Sequence, residues 1–337
     1  MKKSLKLIAL ALVAVLVLGV FAACSSTETD EDTTDAAEEV ITIGILQYGS
    51  HPSLDNCYDG IIEALEASDL NYEIDYQNGN FESATCDTIA KTMVASGCDV
   101  IIPIATPAAT AAYSACAEKE IPVVFCTVSD PVAAGLVETL EDVGGHATGT
   151  ATVINFDTQL DMIMALQPDV ETIGVLYTTS ESNSVTDLVR IEEAAEERGL
   201  TVISSGVQAA SDIPAAAVAL AAQVDCINNF ADNNVVNNLS VVIEAATAAG
   251  IPVYGSEVEQ VENGCLASEG IDYVEVGRQT AYMAIEVLEG TPVSDLAVIV
   301  LDDSTPAINL EVLEAFDLDL PESYEDAELI TETTDEE

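Results

Sequence analysis

The side chains in this chain that can hold a small polar molecule fall in six loops. Ala105-Thr106-Pro107-Ala108 brings a hydroxyl to a helix start, where a first-position Pro loses no needed hydrogen bond. The unpaired N–H groups of that helix start, together with the Thr106 hydroxyl, suit a carboxylate. Tyr48-Gly49-Ser50-His51-Pro52 offers a phenol and an imidazole, and Ser129-Asp130-Pro131 a hydroxyl and a carboxylate. Further on lie Tyr177-Thr178-Thr179-Ser180-Glu181-Ser182-Asn183-Ser184, Ala231-Asp232-Asn233-Asn234 and Gly255-Ser256-Glu257. Taken singly, each reads as a helix cap or a turn. Brought together, hydroxyls, amides, a helix start and a carboxylate would suit a zwitterion.

Something must bring them together. Apolar, β-branched runs at residues 40–48, 72–76, 100–105 and 123–128 predict strands. Leu54, Tyr58, Ile61, Ile62 and Leu65 recur at helical spacing between the first two. A helix over residues 88–96 stops at Gly97, and another begins at Thr106-Pro107 and runs to Lys119. The pattern then restarts: strand 172–177, helix 185–198, strand 200–206, helix 213–223, strand 225–230, helix 235–249 and strand 251–255. Ile251-Pro252-Val253 repeats the strand entry of Ile121-Pro122-Val123. Two successive βαβα runs predict an α/β fold with two parallel-sheet lobes. Ligands of such sheets sit beyond the C-terminal strand ends, where these loops lie.

Charge is the compositional outlier: 60 acidic residues stand against eight basic ones, and the formal net charge is −52. Such a surface repels phosphate backbones and anionic lipid, which excludes nucleic-acid binding and polybasic membrane docking. A hydrophobic content of 49% nevertheless implies globular cores. Met1-Lys2-Lys3 and Lys6 precede an aliphatic stretch over residues 7–20 and then Phe21-Ala22-Ala23-Cys24, the order of a secretory leader. The cysteine at the junction resembles a bacterial lipoprotein signal, in which it is acylated and becomes the new N-terminus. The alternative is a plain cut near Ala23. Either places the protein outside the cytoplasm. Cys57, Cys86, Cys98, Cys116, Cys126, Cys226 and Cys265 are odd in number and mostly lie among Ala, Ile and Val, so they are expected as core thiols.

Ordered stretches of the chain resemble an ABC-transporter substrate-binding family. They include Ile43-Gly44-Ile45-Leu46-Gln47, His51-Pro52-Ser53-Leu54-Asp55 and Ile104-Ala105-Thr106-Pro107-Ala108-Ala109. The run from Thr127 through Ser129-Asp130-Pro131 to Val137 continues the series, as do Ser182-Asn183-Ser184, Asp232-Asn233, Gly270-Ile271-Asp272-Tyr273 and Gly277-Arg278-Gln279. The resemblance covers residues 40–319 and implies a type I periplasmic-binding fold, with two Rossmann-like lobes and three hinge crossings. Several members are similar to aromatic amino-acid binders, the tryptophan-type lipoproteins among them. This chain departs in Ser256-Glu257, where members more often carry Ser-Asp, in Asn228-Asn229-Phe230, and in having no Trp.

On that resemblance the expected ligand-binding residues are Tyr48, Thr106, Pro107, Ala108, Asp130, Ser182, Asn183, Asp232, Asn233, Ser256 and Glu257. Thr106 would hold the ligand carboxylate and Asp232, alone or with Glu257, its ammonium; Tyr48 or Phe230 would pack on the side chain. The expected layout is a leader at 1–23, then lipidated Cys24 and an acidic tether to 39. Lobe 1 follows at 40–152 with 278–300, lobe 2 at 153–277 with 301–325, and an acidic tail at 326–337. The expected partners are a small molecule, an amino acid above all, an ABC permease, and the membrane through the lipid anchor, with the protein a monomer on the extracytoplasmic face. No cofactor or metal is expected. No G-x-G-x-x-G follows a strand, and neither a G-x-S-x-G elbow nor H-E-x-x-H occurs, so enzyme chemistry is not expected. A sensor lipoprotein of the same fold, or a binder of a sugar or nucleoside, remains an alternative.

Overall fold

The computed structural model describes residues 40–331, so the leader, Cys24, the tether and residues 332–337 lie outside the described residues. In chain order the strands are β1 Ile41–Gln47, β2 Tyr72–Asn78, β3 Val100–Ile104, β4 Val123–Phe125 and β5 Ala147–Thr152. They are followed by β6 Thr172–Thr178, β7 Thr201–Val207, β8 Cys226–Asn228, β9 Val253–Tyr254 and β10 Ala267–Gly270. The last three are β11 Ile299–Leu301, β12 Thr305–Asn309 and β13 Glu328–Ile330. The first lobe is a parallel sheet in the order β11-β5-β4-β3-β1-β2. The second lobe holds β7-β6-β8-β9, also parallel. Bonds from Leu266 N to Val253 O and from Gly255 N to Ala267 O continue that sheet into β10-β12-β13. All seven cysteines among the described residues are buried and free.

Three links carry the chain between the lobes: after β5, after β10 and after β11. The boundary expected at 277/278 falls inside the helix Tyr273–Leu288, and Tyr273 and Val276 belong to the first lobe's core. The crossing therefore precedes Tyr273. The expected tail from 326 also needs correction, because Glu328–Ile330 pairs with β12 and Ala327 packs into the second core. The helix expected over 235–249 is two, Asn233–Val236 and Leu239–Ala249.

The first lobe is locked to its own last helix by close backbone contact. A Cβ on Gly60, in the helix Pro52–Glu66, would stand 2.0 Å from the carbonyl oxygen of Val274, and one on Gly277 would stand 2.1 Å from that of Cys57. Only glycine allows the two helices to approach this far. The contact fixes where two side chains at the hinge edge, Ser53 and Tyr273, must point.

Candidate functional site

The C-terminal strand ends of the two lobes face each other, and the chain draws them together directly. Ser53 Oγ donates to Glu257 Oε2 at 2.7 Å, Asn56 Nδ2 to Glu259 Oε1 at 2.7 Å, and the Tyr273 hydroxyl to Glu257 Oε1 at 3.0 Å. His51 Nε2 lies 3.3 Å from Asn233 Oδ1. On another edge of the lobe boundary Arg190 reaches across to Asp130 at 3.3 Å while it also bonds Asp187 at 3.2 Å. These bonds join separate lobes, so the structure is of the closed form.

Between them lies an inner cavity of about 20 Å³ lined by His51, Leu54, Ala105, Thr106, Thr127, Ser129, Thr152, Asn183, Ala231, Asn233, Glu257 and Tyr273. Backbone strain gathers at its first-lobe wall. Ala105 has φ 77° and ψ 154°, a region otherwise left to glycine, and Thr127, a β-branched residue, has φ 54°. Ala105 follows β3 and turns the chain so that Thr106 opens the helix Thr106–Cys116 at the cavity edge, with its first-turn N–H groups free of helical acceptors. Thr127 is held by its own N–H on Thr150 Oγ1 at 3.3 Å and by its hydroxyl against that of Thr152 at 3.0 Å.

The second-lobe wall is built on carboxylates. Glu181 is buried and accepts five N–H bonds, from both the backbone and side-chain nitrogens of Asn233 and Asn234 and from Asn183 Nδ2. Burial, with the nearby Asp232 charge, still pushes its carboxyl up to about 8. Because Asn183 Nδ2 is spent on Glu181 and on the Ala231 carbonyl, its Oδ1 is left as a buried acceptor with no protein partner. Asp232 is occupied by its own lobe: it accepts from Thr178 N and Oγ1 and caps the short helix Asn233–Val236 through Val235 N. Burial raises its carboxyl as well. Among the described residues, none of the Lys or Arg ion pairs reaches Glu181, Asp232 or Glu257.

Of the residues expected from sequence, the cavity brings together Thr106, Asn183, Asn233 and Glu257. The others stand elsewhere. Tyr48 packs edge-on to Phe81 and donates to the Phe81 carbonyl at 3.0 Å. Pro107 and Ala108 lie behind Thr106, with Ala108 fully buried, and Ser182 is exposed. Asp130 pairs with Arg190 and caps Ala133 N, Ser256 is buried off the cavity, and Phe230 packs against Phe156 in the second core. Asp232 backs the wall rather than lining it. Eight lining residues were not among the expected set: His51, Ala105, Ser129 and Ala231, which lie in the loops singled out from sequence, and Leu54, Thr127, Thr152 and Tyr273, which lie outside them. The run Gly270-Ile271-Asp272-Tyr273 was the one available signal for the last.

The cavity sets one buried carboxylate, Glu257, and several amides and hydroxyls opposite a helix start, an arrangement able to hold a small polar ligand. The family model for ABC transporter substrate binding protein matches residues 42–327. A tyrosine-binding protein of Clostridioides difficile is 36% identical over 326 residues, covering 94% of either chain. The ABC domain from Streptococcus pneumoniae solved in complex with L-Trp is similar at 34% identity and a TM-score of 0.84, over 87% of this chain and 100% of that one. A ligand-free, open substrate-binding protein with adhesive properties from Clostridium difficile shares 35% identity, over 87% of this chain and 99% of its own, at a TM-score of 0.66. Identity is almost equal, while the fold superposes better on the L-Trp complex than on the ligand-free, open structure. The chain belongs to the ABC transporter substrate-binding protein family and has its two-lobed type I periplasmic-binding fold.

Proposed function

We propose that this protein captures an aromatic amino acid between its lobes outside the cytoplasm and hands it to an ABC importer, while tethered by a lipid on Cys24. The observation that carries the reading is Glu257: a buried carboxylate on the cavity wall, fed by neutral donors and, among the described residues, by no protein cation. A buried charge without a partner is costly, and an ammonium from the ligand would supply one. Asn183 Oδ1, also on the wall and unpartnered, would accept a second ammonium hydrogen. Thr106 and the helix start behind it would take the ligand carboxylate. Asp232 is read here as the group that positions this wall rather than as the contact.

The aromatic class is carried over from the relatives, one named for tyrosine and one solved with L-Trp. The test is calorimetric titration of the full-length chain with Trp, Tyr and Phe, with and without Glu257→Gln. A charge-assisted bond is worth about 1.5–3 kcal/mol, so the variant is expected to lose about tenfold or more in affinity for whichever amino acid binds. Unchanged binding in Glu257→Gln would refute the ammonium assignment. Lipid attachment is tested separately by the intact mass of the membrane fraction, which Cys24→Ser should return to the unlipidated value.

A further inference from the structure

The inner cavity is too small for a side chain. At about 20 Å³ it has room on the order of a single water, whereas pockets for drug-sized ligands usually run to hundreds of Å³. A second chamber of about 250 Å³ adjoins it, with His51 in the walls of both. Its apolar wall is Pro52, Val236 and Leu239, and its polar wall includes Ser240, Gln260 and Glu259.

Two buried atoms at this chamber have no partner, and both are acceptors. Glu259 is only 9% exposed; its Oε1 takes the Asn56 amide, while Oε2 is buried and bonded to nothing. On His51 the tautomer follows from the network. Asn233 Nδ2 donates to Glu181, so Asn233 presents Oδ1 to the imidazole, and in the neutral ring Nε2 carries the proton. That leaves His51 Nδ1 as a buried lone pair without a donor. Buried acceptors are seldom left open, and two at one chamber call for a hydrogen-bond donor from outside the chain.

We propose that this outer chamber is the side-chain subsite, and that Glu259 selects ligands whose apolar side chain ends in a hydrogen-bond donor such as a phenol hydroxyl. The inference rests on the amino-acid reading above. Apolar Val236 and Leu239 cover the stem, and Glu259 Oε2 accepts from the tip. A site built to bond a hydroxyl discriminates strongly against the analogue that lacks it, because the acceptor is then left unpaired.

The test compares Tyr with Phe, which differ only in the hydroxyl, by calorimetry on the full-length chain. Above about pH 8, where Glu259 is ionised, wild type is expected to prefer Tyr by about tenfold or more, the range of one charge-assisted hydrogen bond. Glu259→Gln keeps an acceptor for Asn56 but turns a donor toward the chamber, and should erase the preference by weakening Tyr alone. Ser240 is exposed at the chamber wall, so Ser240→Trp should fold normally while filling the chamber and abolishing binding of both ligands. Equal Tyr and Phe affinities that neither variant alters would overturn the subsite and leave the amino-acid reading standing. A wild type that binds no amino acid would overturn both.

Discussion

Ser53 and Glu257 sit on opposite lobes and share a hydrogen bond of 2.7 Å, with Glu257 held on its other oxygen by Tyr273 of the first lobe. One second-lobe carboxylate is thus gripped twice by the first lobe. The grip depends on the glycine contact between the helices Pro52–Glu66 and Tyr273–Leu288, which sets both donors in place. On the proposed reading closure and recognition use the same group, and lobe motion and ligand charge would be coupled at Glu257.

Asp232 has a different job, and the two acids should separate on mutation. Asp232→Ala removes the cap on Val235 N and both bonds to Thr178, and should lower stability by about 1–3 kcal/mol. Thermal melts of the ligand-free protein read this directly. Glu257→Gln should shift the melt less and the ligand affinity more; the reverse order would return Asp232 to the ammonium.

Arg190 bridges the lobes through Asp130 with both side chains partly exposed, 31% and 26%, a setting in which such a pair contributes less than about 1 kcal/mol. Arg190→Met keeps the apolar stem and removes the bridge. The expected result is a drop in ligand affinity of no more than about fivefold and a larger radius of gyration in solution scattering without ligand. An unchanged scattering profile would mean that Arg190 does not bias closure.

Ala105 stores strain of about 1–3 kcal/mol in its backbone, while glycine costs about 0.5–1 kcal/mol in chain entropy. Ala105→Gly should therefore raise the melting temperature, or at worst leave it unchanged, with the Thr106 helix start still in place. A clear loss of stability would contradict a strained Ala105.

Four buried carboxyls carry raised pKa values, chiefly from desolvation: Glu181 at about 8, Asp187 at about 7, Glu259 at about 7, and Asp232. The folded protein thus holds protons that the unfolded chain releases between the ordinary carboxyl range and these values. Their contribution is complete below the ordinary range and is lost as pH rises toward 7–8. Melting temperature should climb as pH falls from 8 to about 5, a window in which easing of the −52 charge acts in the same direction. Calorimetric scans across this range check the sign, and a fall in melting temperature over it would refute the assignment.

Local chemistry was legible in the residues. β-branched runs marked most strands, Gly97, Gly199 and Gly250 marked helix ends in left-handed backbone, and Thr106, Asn183, Asn233 and Glu257 could be named because strand-end loops carry ligand groups. β5, Ala147–Thr152, was not legible, because it is threonine, alanine and glycine with no aliphatic run. It is secured by hydroxyls instead, Thr150 on Thr280 and Thr148 on the Leu296 carbonyl, partners well over a hundred residues away. The split of duties between Asp232 and Glu257 was equally hidden. Both are acids after a strand, and only the packed lobes show that one is filled by its own N–H groups while the other faces the cavity. Periodicity and capping act over a few residues, so the sequence by itself determined the elements, the lobes and the candidate loops. Which oxygens are satisfied and which stay open is set by contacts between distant segments, and that only the tertiary structure decided.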